Sequence, residues 1–122
     1  MPTNQVVVLV VDDEPLIRLS ITADLEDEGF IVFEAGTADE AIEVLELHTE
    51  ITLVFTDVDM PGSMDGLKLA AFVRDRWPPI KIIVTSGHRQ PSVEQLPQGT
   101  PFLKKPYVSG EVVTMIRELL TD

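Results

Sequence analysis

Cysteine is absent from the 122 residues. That excludes disulfides, thiolate metal sites and cysteine nucleophiles, and it fits a cytoplasmic protein. Basic residues are scarce: nine Lys and Arg stand against 21 Asp and Glu, for a net charge of −12. Such a field repels nucleic acid phosphates and anionic lipid, so neither nucleic acid nor a membrane is expected as a direct partner; a cation or a basic protein patch suits it better. The start, MPTNQ, lacks the basic and apolar regions of a signal peptide. No apolar run approaches the roughly 18 residues needed to span a bilayer. There is also no glycine-rich loop after the first apolar run, which removes the P-loop and the dinucleotide fingerprint. The stretch DDEPL offers acids where a flavin phosphate loop would want small hydroxyl residues.

What is present is a regular alternation. With 44% hydrophobic residues, a single domain over residues 1–122 can build an ordinary core, whether the chain is complete or cut from a longer one. Val6–Val11 is a β-branched apolar run of the kind buried on both faces of a sheet. Leu16, Ile17, Ile21 and Leu25 recur at helical spacing until Gly29. Phe30–Glu34 reads as a second strand, and Thr37 with Glu40 as a capping box opening a helix whose apolar face is Ala38, Ala41, Ile42 and Leu45. Ile51–Thr56 and Ile80–Thr85 are further strands, separated by a helix marked by Leu69, Phe72 and Val73 that ends near Trp77. The stretch Gly87–Pro101 carries three prolines and leaves room for about two helical turns around Ser92–Leu96. Phe102-Leu103 is a short fifth strand, followed by a helix striped by Val108, Val112, Met115, Ile116 and Leu119. Five βα units in succession predict a doubly wound α/β domain with a parallel sheet and a shortened fourth helix, and ligands in such sheets bind outside the carboxyl ends of the strands.

Strand one ends at Asp12 and Asp13, strand three at Asp57, strand four at Thr85 and Ser86, and strand five at Lys104 and Lys105. Two unit charges about 4 Å apart interact by roughly 4 kcal/mol at an effective dielectric near 20, so three acids there would protonate or bind a cation. Without one, the Asp12–Asp13 pair is expected to be strained. Carboxylates without His or Cys favour a hard cation, and Mg²⁺ (Mn²⁺ possible) fits better than Ca²⁺ because no calcium loop is present. A metal, a hydroxyl and a lysine around a carboxylate point to a carboxylate that itself takes a phosphoryl group.

These motifs, DD at 12 and 13, TDVDMPG around Asp57, VTSG at 84 to 87 and FLKKP at 102 to 106, resemble the receiver domain of two-component response regulators over essentially the whole chain. The resemblance implies the flavodoxin-like strand order 2-1-3-4-5. It makes Asp57 the phosphoacceptor, Asp12 and Asp13 metal-holding acids, and Asp59 a metal ligand through its backbone carbonyl. Ser86, rather than Thr85, becomes the hydroxyl that meets the phosphoryl group. Lys105 becomes the site lysine, preceding a cis proline, with Lys104 facing solvent. Phe102 falls on the switch aromatic. His88 and Asp59 hold positions that influence phosphoryl hydrolysis in that family, although a solvated loop is the simpler place for His88. Trp77 and His48 are expected to be a helix-end core residue and a solvated helix-end histidine.

The implied function is a phosphoacceptor module of a phosphorelay that catalyses only its own phosphorylation and dephosphorylation. It would take phosphoryl from a sensor histidine kinase or a histidine phosphotransfer protein and switch its binding to an unknown downstream protein target. No effector domain follows Leu120, so a stand-alone receiver like the chemotaxis regulators is expected, or one excised from a larger regulator or hybrid kinase. Two departures stand out: the DMPGSMDG loop is one residue longer than usual in the family, and the fourth helix region is short. Two alternatives remain. Asp57-Val-Asp59 resembles the D-x-D of haloacid-dehalogenase-like phosphatases, with Asp59 as acid/base, and a pseudo-receiver would never take phosphate.

Overall fold

A computed structural model describes residues 5–62, 64–88 and 91–121. Strands β1 (Val7–Val11), β2 (Ile31–Ala35), β3 (Leu53–Asp57), β4 (Lys81–Ser86) and β5 (Phe102–Lys104) form one parallel sheet in the order β2-β1-β3-β4-β5. The helices are α1 (Pro15–Asp27), α2 (Ala38–Leu47), α3 (Gly66–Arg76) and α4 (Ser109–Leu120).

The continuous apolar run of β1 has a direct cause. Val7, Leu9 and Val11 pack into one core with α2 and α3 through Ala41, Leu45, Leu69 and Val73. Val8 and Val10 pack into a second core on the opposite face, with Ile21 and Leu25 of α1 and Val112 and Ile116 of α4. Successive side chains of a strand point to opposite faces, and both faces are covered, so no polar residue is tolerated until the strand ends. The same layering carries β3 inward as far as Asp57.

Local signals explain most helix ends. Thr37 Oγ1 accepts from the Glu40 amide at 3.1 Å, but the Glu40 carboxylate reaches past Thr37 to the Gly36 amide, so the expected capping box closes one residue further back. Pro15 opens α1. The apolar spacing read into α1 is only partly used: Ile21 and Leu25 are buried and Ile17 half-buried, whereas Leu16 is 82% exposed.

The shortened fourth helix expected between β4 and β5 is shorter still. Among the described residues of this stretch a single 3-10 turn, Val93–Gln95, stands where two helical turns were expected. Pro91, Pro97 and Pro101 lack the amide protons a longer helix would need. The Ser92 amide instead donates to the Gln95 side chain at 2.8 Å, and Gly99 turns the chain at φ +81°. His48 also departs from expectation, since its ring stacks on Phe33 with centroids 4.2 Å apart. Trp77 is half-buried at the end of α3, beside Phe72.

The two fates of α1 and α2 leucines are separable by urea unfolding. Leu45→Ala, emptying a fully buried site, is expected to cost about 2–5 kcal/mol, and Leu16→Ala less than about 0.5 kcal/mol. A comparable loss at both positions would contradict the packing of α1.

Candidate functional site

The parallel sheet delivers its carboxyl edge as one surface. Asp57 is the last residue of β3, 3% exposed, and Asp12, one residue past β1, is equally buried. Single carboxylate oxygens of Asp12, Asp13 and Asp57 all lie within 4.8 Å of one another, with Asp13 the member open to solvent. Divalent ions of the magnesium class bind oxygen at about 2.1 Å, so two ligands across the shell stand roughly 4 Å apart. A set of three carboxylates at that spacing fits a hard divalent cation.

Lys105 closes the other side. Its Nζ lies 3.1 Å from Asp12 Oδ2, 3.1 Å from Glu14 Oε1 and 3.2 Å from Asp57 Oδ2. The Lys105–Pro106 peptide is cis, and Lys104 faces solvent, both as the resemblance implies. Burial alone would lower the Lys105 pKa, but the hydrogen bond and charge of Asp12, with Asp57 and Glu14, hold the ammonium well above its ordinary value. Asp12 is therefore not simply strained against Asp13. One oxygen is paired with Lys105, and the other accepts the Glu14 amide at 2.9 Å. The conflict falls on Asp57: burial pushes its carboxyl from 3.8 up to about 6, Lys105 opposing the rise and Asp12 adding to it. Tyr107, edge-on to Phe55 at 5.4 Å, is pushed up to about 12 by burial and then by the charge of Asp12.

The hydroxyl at this edge belongs to Ser86. Its Oγ donates to Asp59 Oδ2 at 2.6 Å and accepts from the His88 amide at 3.2 Å. Thr85 is also buried, but its hydroxyl has no hydrogen-bond partner among the described residues. Asp59 additionally donates its amide to Asp57 Oδ1 at 3.3 Å. His88 is exposed in the loop beyond Ser86, and Phe102 is half-buried against the α2–α3 core.

Three contributors were not foreseen from the sequence. Glu14 reaches Lys105 across 91 residues of chain, a contact that no local pattern announces. Arg18, one turn into α1, donates to the Asp12 carbonyl at 2.6 Å and to Glu34 at 3.1 Å, fastening the acid-bearing turn to α1 and β2. Gly66 opens α3 directly against the end of β3: a Cβ there would lie 1.9 Å from the Asp57 carbonyl oxygen. The glycine in MDG was a readable signal, but its reason is spatial.

The family model of the response regulator receiver domain matches residues 8–117. The chain belongs to this family. The receiver is 36% identical to part of the sensor kinase CckA of Brucella abortus, an alignment covering 93% of the chain but 12% of the kinase. It is 34% identical to the transcriptional regulatory protein ResD of Bacillus subtilis, over 97% of the chain and 49% of ResD. The chain thus spans less than half the length of these relatives. Among solved structures, a receiver protein of Sinorhizobium medicae superposes with TM-score 0.86 at 30% identity, covering 95% of this chain and 94% of that one. The receiver domain of NtrX from Brucella abortus gives 0.84 at 31% identity, covering 93% and 97%. The role of the family, phosphoacceptor signalling, fits the acidic cluster of Asp12, Asp13 and Asp57. No helix among the described residues is long and apolar enough to cross a membrane.

Two predictions follow from the crowding around Asp57. Because its folded-state pKa is raised, ionised Asp57 opposes folding fully above about pH 6, and the penalty disappears as pH falls toward 3.8. In chelator, Asp57→Asn is expected to be more stable than wild type by about 3 kcal/mol at pH 7.5, the gap closing between pH 6 and 4. A variant less stable at pH 7.5 would contradict the assigned burial penalty. Gly66→Ala is expected to cost about 1–3 kcal/mol through the clash with the Asp57 backbone, whereas Gly110→Ala, with open space around it, should be tolerated; equal effects would remove the close-approach argument.

Proposed function

We propose that residues 1–122 act as one receiver domain in which Asp57 takes a phosphoryl group from a phosphohistidine, on a sensor histidine kinase or a histidine phosphotransfer protein. The observation that carries this reading is the environment of Asp57: a buried carboxylate at a strand end, with the Lys105 ammonium on one oxygen and the Asp59 amide on the other. An oxygen of Asp57 attacks phosphorus while the bond from phosphorus to the donor nitrogen breaks. The imidazole leaves with the electron pair and takes up a proton. Lys105 balances charge on the phosphoryl oxygens, a role for which its persistently protonated state suits it.

Asp12, Asp13, Asp57 and the Asp59 backbone carbonyl would hold the metal, Mg²⁺ or Mn²⁺. When bound, it supplies further charge neutralisation for the phosphoryl group. Asp12 and Asp13 position it, and Arg18 fixes the Asp12 backbone from behind. Ser86 would donate to a phosphoryl oxygen once phosphate is in place, and Phe102 would move with it, biasing an existing equilibrium toward a state that binds a downstream protein. The chain catalyses only its own phosphorylation and the later hydrolysis of the acyl phosphate. Asp59 therefore serves the switch rather than the acid/base chemistry of a D-x-D phosphatase.

Incubation with acetyl phosphate and Mg²⁺ is expected to give about one acid-labile, hydroxylamine-sensitive phosphoryl group per wild-type chain and none in Asp57→Asn. The absence of label in wild type, or its persistence in the variant, would overturn the assignment. Mg²⁺ alone, at about 100 times its dissociation constant, should raise stability by about 2.7 kcal/mol. Asp13→Asn should lose most of that gain.

A further inference from the structure

The hydroxyl expected to greet the phosphoryl group is already engaged. Ser86 is fully buried at the end of β4, and a serine has one proton to donate. That proton goes to the Asp59 carboxylate at 2.6 Å, the short range of a bond to a charged acceptor. The oxygen is held from its other side by the His88 amide at 3.2 Å. Asp59 lies in the loop after β3 and Ser86 at the end of β4, so the bond ties together the two segments on which the switch depends.

We propose that Asp59 is a latch: in the unphosphorylated chain it holds the Ser86 hydroxyl proton, and the active state is reached only when that bond is given up. This deepens the phosphoacceptor reading and rests on it. The same residue donates its amide to Asp57 Oδ1 at 3.3 Å, so its backbone stands beside the carboxylate that would take the phosphoryl group, and its side chain is tied to Ser86. Phosphoryl oxygens on Asp57 repel the Asp59 carboxylate and offer Ser86 an equally charged acceptor. Release of the old bond and formation of the new one are then a single exchange of acceptors by one proton donor. Asp59 acts through Ser86 and is a positioning residue, distinct from its backbone carbonyl, which the side-chain substitutions below leave in place.

A double-mutant cycle on the full chain tests this. Beryllium fluoride, a phosphoryl mimic, is titrated at saturating Mg²⁺ into wild type, Asp59→Ala, Ser86→Ala and the double variant, and half-saturation is read from the amide resonances of Gly87 and His88. Removing Asp59 also removes a negative charge, which aids an anion in either background. The latch predicts an additional gain of about tenfold that occurs only where Ser86 is present. It also predicts that, without ligand, the Gly87 and His88 resonances of Asp59→Ala move toward their bound positions. Equal gains with and without Ser86, or unligated resonances unmoved along that direction, overturn the latch while leaving the acceptor reading standing. A wild type indifferent to beryllium fluoride overturns both. Should Asp59→Ala fail to fold, Asp59→Asn in the same cycle keeps a weaker, neutral acceptor, and a coupling of about threefold is expected; no coupling there overturns the proposal.

Discussion

The carboxyl edge of this receiver is organised around one ammonium group. Lys105 meets Asp12, Glu14 and Asp57 at 3.1–3.2 Å, and without it the buried carboxylates of Asp12 and Asp57 and the exposed one of Glu14 would lack that shared cation. Lys105 stands just past the end of the short β5. One lysine cannot neutralise every acid present. The imbalance is concentrated on Asp57, whose carboxyl is pushed up to about 6 by burial. A site built this way is short of positive charge. A divalent cation answers that shortage, and a phosphoryl group on Asp57, which adds negative charge, would need it all the more, which connects the electrostatics of the edge to the phosphoacceptor role of the family.

Around that charge balance the backbone is held tightly. Arg18 fastens the Asp12 carbonyl, Gly66 lets α3 begin against the Asp57 carbonyl, and the Val58 amide donates to the Thr85 carbonyl at 2.8 Å, joining the exits of β3 and β4. In the proposed switch the contacts that change are side-chain bonds, Ser86 to Asp59 foremost among them, because it joins the loop after β3 to the end of β4 through one proton. Rigid backbone with exchangeable side-chain partners suits a module that must store a signal on one residue and report it at its surface.

The order of the strands and the composition of the site were legible in the chain for different reasons. The apolar runs before Asp12, Asp57 and Ser86 are continuous because both sheet faces are covered, and this marked the strand ends within one or two residues. The prolines at 91, 97 and 101 warned of a weak helix, but not that only a 3-10 turn would stand among the described residues there, since the Ser92–Gln95 bond that replaces helical pairing is a matter of local geometry. The helical spacing in α1 overstated its burial, because periodicity identifies a helix face without revealing how much of that face a neighbour covers. Leu16 lies beyond that cover.

By itself the sequence determined the alternation of strands and helices, the delivery of Asp12, Asp13, Asp57, Ser86 and Lys105 to strand ends, and a charge that favours cations. Those features depend on local pattern and on the rule that parallel strands present their carboxyl ends together. Tertiary structure alone decided which acids share Lys105, that Glu14 and Arg18 join the site, that Gly66 must lack a side chain, and that Asp59 holds Ser86. Each of these depends on how the segments pack over the sheet edge, whether the partners stand 6 residues apart, as Arg18 and Asp12, or 91, as Glu14 and Lys105, and residue identities do not encode it one position at a time.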